Sequence, residues 1–117
     1  GGTGGDSGGT TGGDPVSCPS GWARVDDNLA ATGDDDQFAY TTSSNGTHQF
    51  ELYGPSGADF DLYLHKANKR GRYAQVASAT TTSADESLSY SGKAAAYVIQ
   101  VQSHSGAGDY VLCYDLP

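Results

Sequence analysis

Residues 59–65 read Asp59-Phe60-Asp61-Leu62-Tyr63-Leu64-His65, with apolar and polar side chains exchanging places at almost every step. An extended chain turns successive side chains to opposite faces. Phe60, Leu62 and Leu64 then share one apolar face, and Asp59, Asp61, Tyr63 and His65 share the other. A helix would scatter the three apolar residues around its circumference, so the segment predicts a half-buried strand.

The same period of two extends in both directions. Gly54-Pro55-Ser56-Gly57 is a turn signal. Before it, residues 48–52 alternate again, with Phe50 and Leu52 on one side and Gln49 and Glu51 on the other. Residues 37–42 alternate around Phe38 and Tyr40, and Asn45-Gly46 between these runs is a strong hairpin signal. Downstream, residues 66–72 (KANKRGR) form a basic loop. Strands are expected at 72–77 around Tyr73 and Val76, at 87–90, at 97–101 and at 110–114. Turns at Ser91-Gly92-Lys93 and at 104–108 separate the later ones. Seven to eight short strands at this spacing predict an all-β fold, an antiparallel β-sandwich of jelly-roll-like form.

The chain has 117 residues, enough for one such domain. Residues 1–14 (GGTGGDSGGTTGGD) contain eight glycines and no hydrophobic residue, so residues 1–16 are expected to be a flexible tether and residues 17–117 the folded domain. The string Gly5-Asp6-Ser7-Gly8-Gly9 matches the sequence around the nucleophile of trypsin-like proteases. That chemistry needs a histidine base and a buried carboxylate beside the serine. A Ser in a Gly/Thr tract with neither reads as linker. The tether implies a catalytic domain upstream in the natural protein. The absence of a signal peptide and of a bilayer-length apolar run fits a mature secreted fragment that meets no membrane.

The formal net charge is −8. A surface this acidic disfavours nucleic-acid backbones. Cys18 and Cys113 would be free thiols in a reducing compartment. In a Gly/Ser/Thr/Tyr-rich chain without methionine, a disulfide clamping the two ends of the domain is the better reading. No Cys/His cluster accompanies them for metal binding. His48, His65 and His104 stand apart from one another, without zinc spacing, and read as surface histidines.

The acidic clusters carry more. Asp26-Asp27-Asn28 and Asp34-Asp35-Asp36 read as two loops, and Asp59 and Asp61 alternate on a strand. Calcium requires six to eight hard oxygen ligands, which these side chains supply if the loops converge. The alternative is a solvated acidic surface. Among the eight tyrosines, Tyr40, Tyr97 and Tyr110 fall on core faces. Tyr53, Tyr63 and Tyr73, with His65, fall outside and are the candidates for stacking on a polymer.

Three segments resemble the bacterial pre-peptidase C-terminal domains. Gly33-Asp34-Asp35-Asp36-Gln37-Phe38 matches a "GDxDxF" pattern, and Asp59-Phe60-Asp61-Leu62-Tyr63-Leu64 matches "DxDLYL". Residues 96–101, followed by 105–112, resemble the family's closing strands. The likeness covers about residues 28–114. It implies a jelly-roll-like sandwich placed C-terminal to secreted hydrolases, most often proteases, and in some cases cut off in maturation. The similar collagen-binding domains of bacterial collagenases bind calcium near the N-terminal strand and hold their ligand on a tyrosine-rich face. Residue by residue, Asp34 and Asp36 match the first acidic pattern, Asp59 and Asp61 the second, and Asp26, Asp27 and Asn28 lie near the collagen binders' calcium linker. The Cys18–Cys113 pair lies outside the family pattern and offers a covalent clamp where a cation would otherwise serve. The expectation is therefore a non-catalytic module that targets an attached hydrolase to an insoluble polymer, a fibrous protein or a polysaccharide. The alternatives are a carbohydrate-binding module and a secretion or folding segment without a ligand.

Overall fold

The computed structural model describes residues 16–117; the expected tether, with its GDSGG string, lies outside the described residues apart from Val16. Eight strands follow one another: β1 (Ala23–Leu29), β2 (Asp35–Thr41), β3 (Gly46–Tyr53), β4 (Asp59–Ala67), β5 (Tyr73–Ala79), β6 (Glu86–Gly92), β7 (Ala96–Ser105) and β8 (Gly108–Asp115). They form two four-stranded antiparallel sheets, β1-β8-β3-β6 and β2-β7-β4-β5. This is the double-sheet jelly roll.

The alternating residues of each strand fill the space between the sheets. Phe60, Leu62 and Leu64 of β4 meet Phe50 and Leu52 of β3, Tyr97, Ile99 and Val101 of β7, and Tyr110 and Leu112 of β8. Each is almost fully buried. Gly54-Pro55-Ser56-Gly57 turns as expected: Ala58 N donates to Pro55 O at 3.2 Å, and Gly57 takes φ +86°, where a Cβ would be strained. Cys18 and Cys113 are joined, with Cα atoms 5.5 Å apart and a sequence separation of 95.

Three expectations change. Asn45-Gly46 does not close a hairpin, because β2 and β3 lie in different sheets; the turn carries the chain across the sandwich. Residues 104–108 do the same between β7 and β8. The hairpin between sequence neighbours is β4–β5, around the basic loop. Asp26, Asp27 and Asn28 are not a loop but part of β1, paired antiparallel with β8, and of the second acidic run Asp35 and Asp36 belong to β2, paired with β7. His48 is not a surface residue: it is fully buried, with its Nδ1 2.9 Å from the Tyr40 hydroxyl and its ring against Tyr90 and Tyr97. Burial pushes its pKa below the usual imidazole value.

Candidate metal centre and aromatic sheet face

β5 ends at Ala79, opposite Leu62 of β4. The next residues of β4, Asp59–Asp61, have no β5 partner on that side. Residues 80–85 cross here to the other sheet and deliver Glu86 at the start of β6. Asp59, Asp61 and Glu86 thereby place one carboxylate oxygen each within 4.8 Å of the others. Asp61 and Glu86 are both 5 % exposed. Thr81 Oγ1 donates to Glu86 Oε2 at 3.0 Å. Asp59 Oδ1 and Asp61 Oδ1 are buried with no hydrogen-bond donor. Burial, then the charges of Asp59 and Glu86, push Asp61 up to about 6, with His104 acting weakly the other way. Glu86 is also raised, chiefly by burial.

Buried carboxylate oxygens without donors are costly, and a divalent cation removes the cost. The donor set is all hard oxygen, which suits calcium or magnesium rather than a thiolate- or imidazole-seeking metal. Three carboxylates do not complete a calcium shell, so backbone oxygens, Thr81 or water would supply the rest. A cleft of about 560 Å³ opens beside the cluster; Gly54, Asp59, Thr82, Asp85 and Ser105 are among the residues that line it.

Of the seven residues expected to bind calcium, Asp59 and Asp61 come together. Asp26, Asp27, Asn28, Asp34 and Asp36 lie apart from them, at the β1 and β2 side. There Asp34 Oδ2 accepts from Ala30 N at 2.8 Å. Asp36 accepts from the Tyr110 hydroxyl at 2.7 Å, and burial raises its pKa despite that bond. Asp26 pairs with Arg24 at 2.7 Å, and Asn28 donates to Asp109 at 2.9 Å. Asp27 Oδ1 accepts from Asn28 N at 2.8 Å. These groups already have partners. The third member of the compact cluster, Glu86, was not among the expected ligands. Its signal was the alternation Glu86, Leu88, Tyr90, which puts a carboxylate at an inward position of β6.

The polymer candidates divide. Tyr63 and His65 project from the outer face of the β2-β7-β4-β5 sheet. His65 pairs in register with Gln75, and Ala67 of the same face pairs with Tyr73. Tyr63, His65 and Tyr73 thus lie along one face, with Tyr73 about 13 Å from Tyr63 along the strand direction. His65 Nε2 donates to Gln100 Oε1 at 2.9 Å. Gln100 and Gln37 both donate to Asp35 Oδ2 at 3.0 Å. Tyr53 sits on the outer face of the opposite sheet, its hydroxyl on Glu51 at 2.5 Å. One plane cannot engage all four.

No family model matches the chain. Solved structures do. The pre-peptidase C-terminal domain of collagenase from Bacillus anthracis aligns over 80 % of this chain and 89 % of its own, with a TM-score of 0.66 and 17 % identity. In fold, the chain resembles a pre-peptidase C-terminal domain. The Yersinia pseudotuberculosis-derived mitogen shares the architecture, with a TM-score of 0.67 and 12 % identity over 82 % of this chain and 86 % of its own. A protein of Sulfurospirillum deleyianum aligns at 0.55 and 6 % identity, over 84 % of this chain and 99 % of its own. A collagenase's pre-peptidase C-terminal domain and a mitogen thus share this sandwich, so the likeness speaks to the fold alone.

Proposed function

We propose that this domain is a non-catalytic accessory module of a secreted hydrolase, foremost a protease, which binds an insoluble polymer and holds the attached enzyme against it. The observation that carries this reading is the placement of half-buried Tyr63 and His65 and exposed Tyr73 on one outer sheet face of a fold shared with the pre-peptidase C-terminal domain of a collagenase. Calcium held by Asp59, Asp61 and Glu86 would be structural, fixing the β5–β6 crossing beside that face. A carbohydrate ligand is the second reading. The amides of Gln37 and Gln100, lined up on the same face through Asp35, are the groups that meet sugar hydroxyls. A tethered module needs only millimolar affinity on a dense surface to be effective.

Tyr63→Ala is the direct test. Retention of the domain on its polymer should drop about tenfold, the scale of losing one aromatic anchor, while far-UV circular dichroism stays unchanged. Pull-downs on insoluble collagen, chitin, cellulose and β-1,3-glucan provide the measurement. If every polymer fails to retain the wild-type domain, the module assists secretion or folding and binds nothing afterwards.

A further inference from the structure

The chain carries six Lys and Arg residues against fourteen Asp and Glu. Four of the six, Lys66, Lys69, Arg70 and Arg72, fall within seven residues at the tip of the β4–β5 hairpin. Among the described residues, the one ion pair within 4.0 Å is Arg24–Asp26, so no described carboxylate pairs with the tip. An ordinary soluble surface intersperses the two signs. Here an acidic body presents a single concentrated cationic end.

The tip is built, not loose. Asn68 Oδ1 accepts from Arg70 N at 2.8 Å and from Arg72 N at 3.0 Å. Asn68 N donates to Arg72 O at 2.8 Å, and Gly71 N donates to Asn68 O at 2.9 Å. Gly71 takes φ +79° to close the turn. Lys69, Arg70 and Arg72 are exposed on this fixed backbone, so less ordering entropy opposes their use. Tyr73 follows directly. At 49 % exposure it is the exposed large hydrophobic among the described residues, and its register with Ala67 joins the tip to the face of Tyr63 and His65.

We infer that the polymer is an anionic polysaccharide, gripped by Lys69, Arg70 and Arg72 with Tyr73 stacked beside them; this rests on the polymer-binding reading above. Guanidinium forks fit carboxylate and sulfate oxygens two at a time. A tyrosine ring adjoining the cations offers its face to the apolar side of a sugar. The rest of the surface decides between polyanions. Double-stranded DNA carries a charge about every 1.7 Å and would meet the acidic body as soon as it ran past the tip. A glycan with one uronate or sulfate per sugar or two meets the tip and leaves its neutral hydroxyls for Gln75, Gln100 and Gln37.

The test passes the full chain over beads bearing polygalacturonate, chondroitin sulfate, cellulose or double-stranded DNA. The expected result is retention on polygalacturonate, chondroitin sulfate or both, weakened by salt, and above that on cellulose and DNA. The two glycans separate a carboxylate preference from a sulfate one. The triple variant Lys69→Ala/Arg70→Ala/Arg72→Ala should lose about tenfold in retention at an unchanged melting temperature, and Tyr73→Ala should weaken it at constant salt slope. Equal retention on cellulose for wild type and triple variant would overturn the inference while leaving polymer binding intact. Equal retention on DNA would reduce the tip to an ion exchanger and overturn it as well. Retention on none of the beads, nor on the polymers of the preceding test, would remove the polymer-binding reading itself.

Discussion

Serine at both positions 18 and 113 should lower the stability of the fold by about 4 kcal/mol and its melting temperature by roughly 15–30 °C. The disulfide spans 95 residues of sequence, so it restricts nearly the whole unfolded domain, and long loops gain most in the chain-entropy account. What it holds in the fold is an edge strand. β1 has the burial pattern of an exposed edge, with Leu29 its one buried residue. Its strand partner is β8. Cys18 sits just upstream of β1, and Cys113 lies on β8 opposite Arg24, so the bond fastens the segment leading into β1 to that partner. Calorimetry of the wild type with and without reductant, beside the double variant, measures the effect. A shift of only a few degrees would mean that pairing with β8 alone secures β1.

The difficulty of reading β1 has the same physical origin. Its residues, Ala-Arg-Val-Asp-Asp-Asn-Leu, put Asp27 at a position of inward parity between Val25 and Leu29, which breaks the alternation. An edge strand tolerates that because its end is open to water and its charges discourage pairing with other chains. The central strands β3, β4, β7 and β8 were legible because both neighbours and the facing sheet demand apolar residues at every second position. Asn45-Gly46 signalled a reversal correctly, but a reversal within a sheet and one between sheets use the same local chemistry. Only the long-range pairing of β2 with β7 decides it. His48 was legible in principle, since it shares parity with Phe50 and Leu52. Its polarity masked a position that the Tyr40 hydroxyl makes tolerable. The acidic cluster was half legible: Asp59 and Asp61 are neighbours on one strand, but Glu86 reaches them through the β5–β6 crossing, a contact that no local pattern encodes.

That crossing sets the second large effect. Without a divalent cation, the domain should be less stable at pH 7.5 than at pH 4.5 as far as the acidic cluster is concerned. The folded pKa of Asp61 is raised from 3.8 to about 6. Its proton is therefore held more tightly in the folded chain, and the stability this confers is complete below pH 3.8 and lost as pH rises through about 6. The loss amounts to about 3 kcal/mol. Glu86, also raised, adds in the same direction. His48 works the opposite way: its lowered pKa makes its contribution complete above its unfolded value of 6.5 and progressively lost as pH falls. Asp61→Asn separates the two, because it removes the carboxylate and leaves His48 alone. In chelator at pH 7.5 the variant should melt higher than the wild type, with the rise cut to about a third at pH 4.5 and gone below pH 3.8. Calcium should reverse the ranking. At a hundredfold excess over its dissociation constant, a ligand specific to the folded state stabilises it by about 2.7 kcal/mol, and wild type should gain that while Asp61→Asn and Glu86→Gln gain little. The same melting temperature for wild type in calcium and in chelator would leave Asp61 and Glu86 to hold protons instead of a cation.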